Sequence, residues 1–172
     1  TVASACFTWR AKGKLVALPR NAVDLVWKDQ PAKPAAAIEH HAEVYAGVSA
    51  SEKLRAISAT LAKQGADAVV LADPASVCWA LNIRGNDIPH TPFPLAYAII
   101  HRKGKAELFT DAKRLMPAAK SALASVAKCV SPDKFSEQLK ALAKRAVALD
   151  PTLAPEATRI EIKKAGAKII EA

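Results

Sequence analysis

The stretch that most constrains the fold is ADAVVLAD, residues 66–73, followed at once by Pro74. A continuous apolar run bounded by acids and closed by proline has the pattern of a buried strand leading into a helix start. Residues 74–81 are that helix. Upstream, Ser49-Ala50-Ser51-Glu52 opens an apolar pattern at Leu54, Ile57 and Leu61, with spacings of three and four, which predicts a serine-capped helix that stops at Gly65.

Downstream, the same alternation continues. Residues 95–101 (LAYAIIH) and 105–110 (KAELFT) read as strands joined by a hairpin turn at Arg102-Lys103-Gly104. A helical stretch over 116–127 leads to Lys128-Cys129-Val130, and Ser131-Pro132-Asp133 starts a helix with apolar positions Phe135, Leu139 and Leu142. Strand 146–149, helix 155–165 and strand 167–171 complete the series. Helices alternating with strands around one central hairpin imply an α/β sandwich with a mixed sheet.

The first part of the chain reads differently. Residues 1–11 look like the end of a preceding helix, and residues 14–18 and 21–27 are short β-branched and apolar runs separated by Pro19-Arg20. From Gln30 to Gly47 the text is QPAKPAAAIEHHAEVYAG, which suggests an extended connector laid over a surface. The expected organisation is therefore a remnant over 1–30, a linker over 31–48 and a domain over 49–172. A start at Thr1, Met116 as the single methionine and a strand-like GAKIIEA at the end predict a piece of something longer.

Composition narrows the function classes. With 172 residues and 51% apolar content, the chain has material for a true core. No apolar run reaches the roughly 18 residues of a membrane span and no leader pattern opens the chain, so a soluble, cytoplasmic protein is expected. Three widely separated cysteines without a CxxC pair predict free or buried thiols. A net charge of +9 raises nucleic acid as a partner. The basic residues, however, are scattered singly or in pairs, and the aromatics are only 5% of the chain and not interleaved with them. They read as the solvated faces of amphipathic helices. No GxxxxGK[ST] occurs and no GxGxxG follows a strand, so nucleotide binding has no motif behind it.

The densest chemistry lies in CWALNIRGNDIPHTPFP, residues 78–94. Asn82, Arg84, Gly85, Asn86, Asp87 and His90 between two apolar segments have the composition of a functional loop held on a scaffold. Each has a plain structural reading beside the functional one. Arg84 and Asp87, three apart, are placed to form a structural ion pair within the loop. Asn82 can cap or turn, His90 can be a satisfied hydrogen-bonding residue, and Trp79 reads as core or interface packing. Gly85 is expected to let the backbone turn tightly. His40-His41 lacks acidic or cysteine partners at metal spacing, and Cys78 sits among apolar neighbours as a buried thiol.

Taken together, ADAVVLADPASVCWALNIRGNDIPHTPFPLAYAII and GKAELFTDAKRL resemble the second N-terminal domain of the Xaa-Pro aminopeptidase (aminopeptidase P) family, metallopeptidases of the creatinase and prolidase group. The carriers are Trp79, Asn82, Arg84-Gly85, Asp87-Ile88, His90 with Pro92, Tyr97 to Ile100, and Leu108-Phe109 before Asp111. NAVDLVWKDQP, YAGVSASEKL and VALDP extend the likeness over essentially the whole chain, with residues 1–30 similar to the tail of the family's first N-terminal domain.

The resemblance implies a three-layer α/β/α fold with a mixed sheet of ribonuclease H-like topology. In that family, hydrolysis belongs to a later pita-bread domain, where two aspartates, a histidine and two glutamates hold two divalent metals, commonly manganese, that activate water for attack on the bond before proline. No such ligand set can be assembled here, so catalytic residues, metal ligands and a resident cofactor are expected to be absent from this segment. What it implies for this piece is a noncatalytic role in dimerisation and in access to the active site. Its partners would be its own catalytic domain, a second copy of the parent, and a peptide with proline at its second position. Within the loop, Arg84 is the candidate substrate-facing or loop-organising cation, Asp87 its carboxylate partner and His90 a gate, with Asn82 and Gly85 organising the loop. A stand-alone interaction or dimerisation module is the alternative, with a basic nucleic-acid-binding domain ranked after it.

Overall fold

The computed structural model describes residue 18 and residues 21–171. After helix α1 (Ala22–Val26) come strand β1 (Ile38–His40) and helices α2 (Glu43–Ala46) and α3 (Ala50–Gln64). Strand β2 (Ala68–Leu71) feeds helix α4 (Pro74–Leu81), which is followed by β3 (Ile83–Gly85). The β4 (Tyr97–His101) and β5 (Ala106–Phe109) hairpin leads to α5 (Pro117–Leu123) and β6 (Ala127–Val130). Helix α6 (Phe135–Lys140), β7 (Ala146–Leu149), α7 (Glu156–Lys164) and β8 (Lys168–Glu171) follow.

Local chemistry explains the best-defined boundaries. Ser49 and Glu52 form a reciprocal capping box at the start of α3, and Gly65 closes it in the left-handed conformation at φ 69°. Asp73 accepts from the Ser76 backbone N–H at 2.8 Å, capping α4 with Pro74 in its first turn. Gly104 turns the β4–β5 hairpin at φ 99°.

Six strands form one mixed sheet in the order β6-β5-β4-β2-β7-β8. Strand β4 runs antiparallel to both neighbours, while the β2–β7, β7–β8 and β5–β6 pairs are parallel. The five strands β5-β4-β2-β7-β8, with β4 alone reversed, have the ribonuclease H-like order. The alternation of side chains along β2 assigns Val69 and Leu71 to one face and Ala68 and Val70 to the other. On the first face, Val77 and Leu81 of α4 and Leu123 of α5 close over Ala98, Ile100 and Leu108, and Leu61 of α3 packs with Ala148. On the second, Leu139 of α6 and Ile162 of α7 cover Ile99, Phe109 and Leu149. The result is the expected three-layer α/β/α sandwich around a mixed sheet.

Several expectations are corrected. Residues 21–27, read as strand-like, form helix α1, because the Asn21 side chain accepts from the Val23 N–H at 3.0 Å and caps the segment. The stretch read as an extended connector is partly built into the fold: β1 pairs antiparallel with β3, matching Ile38 to Gly85 and His40 to Ile83. Ile38 is fully buried, which contributes roughly 1.5–3 kcal/mol, so the alanines before it lead into a core strand. The helix expected over 116–127 stops at Leu123, and Ala127 already begins β6. The expected helix over 1–11 and the run over 14–17 lie outside the described residues, as does Cys6.

Candidate functional site

The polar segment starts where α4 ends. Asn82 takes a left-handed conformation (φ 51°, ψ 50°) and terminates the helix. Its amide donates to the Val48 carbonyl at 2.9 Å and accepts from Lys53 Nζ at 2.7 Å. Lys53 also donates to the Trp79 carbonyl at 3.1 Å and sits 4.9 Å from the centroid of the Trp79 ring. Arg84 donates to the carbonyls of Ile83 at 2.8 Å and Cys78 at 3.3 Å. Lys53 thus satisfies the Trp79 carbonyl, and Arg84 adds a second bond to the Cys78 carbonyl that already accepts the Asn82 N–H, both at the helix C-terminus, where the dipole favours positive charge. Burial and then the Arg84 charge lower the Lys53 pKa. His41, flanked by Arg84, Lys53 and His40, is lowered by desolvation first and by those charges after it.

The ion pair expected between Arg84 and Asp87 is not formed. Asp87 pairs instead with Arg114, and it accepts backbone N–H bonds from Ala36 at 2.8 Å and Leu95 at 2.6 Å. Arg114 donates in addition to the Ala36 carbonyl at 3.0 Å and to Thr110 Oγ1 at 3.4 Å. This one guanidinium ties the approach to β1, the end of β5 and the polar loop together. Its role is invisible in sequence because it stands 27 residues from Asp87, within a pair of basic residues that reads as surface. Lys53 was missed likewise: on an amphipathic helix its charge looks solvated, yet it is 6% exposed.

Gly85 needs a different explanation from the one expected. It lies in strand β3 and shows no positive φ; an added Cβ would stand 2.9 Å from Pro94 Cβ and 3.1 Å from Pro94 N. Close approach of two backbone segments, rather than a tight turn, is what requires glycine there. The loop proper therefore begins at Asn86, after β3. At its tip His90 is exposed at φ 59°, beside a turn in which the Thr91 N–H reaches the Ile88 carbonyl at 3.1 Å. Its ring bonds no described residue. The structure thus brings Asn82 and Arg84 to the end of α4, buries Asp87 as an anchor and leaves His90 free at the surface.

The remaining candidates have settled surroundings. Burial pushes the Cys78 thiol up to about 11, which leaves it protonated and poorly nucleophilic at neutral pH. Among the described residues no three His, Cys, Asp or Glu side chains gather into a group able to hold a metal ion. No described helix is long and apolar enough to cross a membrane.

Comparison with known proteins gives this geometry its setting. The profile of the creatinase/prolidase N-terminal domain matches residues 29–172. The chain belongs to the creatinase/prolidase N-terminal domain family. A probable Xaa-Pro aminopeptidase P of Coccidioides posadasii is 36% identical over 135 residues, which are 78% of this chain and 22% of that protein. A second, from Paracoccidioides lutzii, is 34% identical over 140 residues, covering 81% of this chain and 23% of that protein. This creatinase-like domain thus spans between a fifth and a quarter of those relatives.

Among solved structures, the fold matches X-prolyl aminopeptidase from Caenorhabditis elegans with a TM-score of 0.77, at 24% identity over 90% of this chain and 26% of that one. That protein is described as a cytosolic enzyme with a di-nuclear active site. The N-terminal domain of the cytoplasmic peptidase PepQ from Mycobacterium tuberculosis matches with a TM-score of 0.52, at 12% identity over 70% of this chain and 92% of that one. The creatinase-like domain described here does not fit a di-nuclear metal site, since its described residues offer no suitable ligand group.

Proposed function

We propose that this chain is the noncatalytic N-terminal segment of a cytoplasmic, metal-dependent Xaa-Pro aminopeptidase that removes the N-terminal residue preceding proline. The observation that carries the reading is the 36% identity to an Xaa-Pro aminopeptidase P over 78% of the chain and 22% of that protein. The organisation taken with it is a remnant over 1–30 and a creatinase-like domain over 49–172, with residues 31–48, expected from the sequence to be a linker, entering that domain through the β1–β3 pairing. The catalytic portion follows, and the divalent metals, manganese in this reading, belong to it. The segment serves dimerisation of the parent and access to its active site.

His90 is the residue of the polar loop best suited to meet a peptide. It is exposed, its ring has no described partner, and an anchored loop presents it. Arg84 contributes by holding the end of α4 and by placing positive charge beside the loop, where a peptide carboxylate or carbonyl is attracted.

The test is to read the parent gene beyond Ala172 and to assay the full-length product on an Xaa-Pro peptide with and without manganese. Metal-dependent release of the first residue is expected from the parent and not from the 172-residue chain. A stop codon shortly after Ala172 would overturn the reading. In the active parent, His90→Ala should lower kcat/KM by roughly tenfold with unchanged thermal stability.

A further inference from the structure

Two cavities outside the polar loop differ in character. The larger is an apolar groove walled by Trp79, 53% exposed, whose polar lining group Ser76 already donates its hydroxyl to Asp73 at 2.9 Å. The second, of about 280 Å³, is polar and basic. It lies between α3, the β4–β5 turn and the residues just before β6. On α3, Ser51, Arg55 and Ser58 are spaced by four and three, which puts them on one face of the helix. Arg102, Lys105 and Ser125 complete the polar lining, and no Asp or Glu of the described residues takes part in it.

The local hydrogen bonds fix this wall and leave donors over. The Ser58 hydroxyl donates to the Arg102 carbonyl, which ties the helix to the turn. Lys105 Nζ donates to the Ala124 carbonyl at 2.6 Å, so the ammonium is held next to Ser125 with its other N–H groups unused. Arg55 is exposed, and its guanidinium bonds no described residue. The hydroxyls of Ser51 and Ser125 bond none either.

The acids of the neighbourhood are engaged elsewhere. Glu52 accepts from Ser49 in the capping box. Asp67 pairs with Arg102 at 2.8 Å and lines the adjoining cavity instead, and Glu107 Oε1 lies 3.0 Å from His101 Nε2. The charge of Arg55 and Lys105 is therefore unbalanced in a concave site, where a field of one sign gathers counter-ions.

That chemistry selects the ligand. A carboxylate balances one of the two free cations, whereas a phosphate group carries close to two negative charges near neutral pH and three strong acceptor oxygens. The volume falls just under the roughly 300–1,000 Å³ of ordinary ligand pockets, which suits a small molecule. Apart from the His101 ring no aromatic group lines the cavity, so the bases of a nucleic acid find no platform to stack on.

We infer that this cavity is a phosphate site, which takes inorganic phosphate or the phosphate group of a small phosphorylated molecule between Arg55 and Lys105. It goes beyond the peptidase reading and does not depend on it. An occupied site joins α3, the β4–β5 turn and the entry to β6, and so stabilises the folded chain.

The test titrates the 172-residue chain with sodium phosphate, with glycerol 3-phosphate and with acetate, at an ionic strength held constant with sodium chloride. Amide chemical shifts and the thermal midpoint are followed. Phosphate should give saturable shifts at Ser51, Arg55, Gly104 and Ser125 and raise the midpoint, and acetate should do neither. Arg55→Gln and Lys105→Gln should each raise the Kd roughly tenfold, the loss of one charge-assisted hydrogen bond, while Lys120→Gln on exposed α5 leaves it unchanged. Arg55 and Lys105 are both exposed, and the midpoint without phosphate checks that each variant folds. Tighter binding of glycerol 3-phosphate than of inorganic phosphate identifies a phosphorylated molecule as the ligand, and equal or weaker binding identifies the free ion. Shifts that spread over the basic residues without saturating, an equal response to acetate, or a Kd unmoved by Arg55→Gln would each overturn the inference.

Discussion

Arg114 and Asp87, 27 residues apart in the chain, form an ion pair whose carboxylate is completely enclosed. The two backbone N–H groups that also point at Asp87 belong to Ala36 and Leu95, so one side chain joins three separate segments. The polar loop is held from inside, and what it shows to solvent is set by that anchor.

Removing either partner leaves the other buried without its counter-charge. Asp87→Ala is expected to cost about 3–5 kcal/mol, and Arg114→Met a similar amount, by urea unfolding of the 172-residue chain. The double variant should lose clearly less than the sum of the two single losses. Additive losses would mean that the pair is not coupled.

Lys53 predicts a second effect of a buried charge. Lys53→Met leaves the Trp79 carbonyl and the Asn82 amide oxygen without their donor, a loss of about 1–3 kcal/mol. The folded-state pKa of Lys53 lies below the ordinary lysine value of 10.5, so the unfolded chain holds the proton more tightly. Stability of the unsubstituted chain relative to Lys53→Met should therefore rise with pH through the window from that lowered value up to 10.5. A difference that stays flat with pH up to 10.5 would contradict this.

The two glycines that matter here act for different reasons and separate experimentally. Gly85→Ala drives a Cβ to 2.9 Å from Pro94 and should cost about 1–3 kcal/mol through displaced backbone. Gly65→Ala meets nothing within 4 Å but forces alanine into φ 69°, a cost of about 1–2 kcal/mol from conformation alone. Gly65→Asn should recover part of that cost, because asparagine tolerates the left-handed region, whereas Gly85→Asn should be worse than Gly85→Ala.

The capping box of α3 carries an acid-sensitive term. Hydrogen bonds from the Ser49 side chain and backbone lower the Glu52 pKa below 4.5. Its contribution is present above pH 4.5 and is lost as pH falls through the lowered folded value. Glu52→Gln should remove that acid dependence while keeping the helix, and Ser49→Ala should cost about 1 kcal/mol near neutral pH. Acid unfolding curves of the three proteins decide it.

Cys78 provides a chemical check on the core. In a Cys6→Ala, Cys129→Ala background, the remaining thiol, raised to about 11 by burial, should react with a disulfide reagent at pH 8 only as fast as the protein opens. Rapid reaction in native buffer would mean that α4 is not packed as described.

How far the sequence reached depends on the range of the interaction. The boundaries of α3 and α4 were legible because Ser49 with Glu52, and Asp73 with Pro74, act within one helical turn. Strand β2 was legible because its apolar run is continuous, and the β4–β5 hairpin because Gly104 marks the turn. Helix α1 was misread because its apolar residues are exposed and only the Asn21 cap makes it helical. Strand β1 was missed because three residues among alanines carry little pattern until β3 is beside them.

By itself, the sequence determined the alternation of helices and strands, the mixed α/β class, the family and the position of the polar loop, since these follow from local periodicity, capping and a dense motif. Only the tertiary structure decided that Asp87 turns inward to Arg114, that Arg84 and Lys53 serve the end of α4, that Gly85 makes room for Pro94, and that His90 and Trp79 remain exposed. The physical reason is that each of these depends on which distant segment arrives opposite. A charge seeks the nearest opposite charge or carbonyl in space, and spacing along the chain does not record that distance.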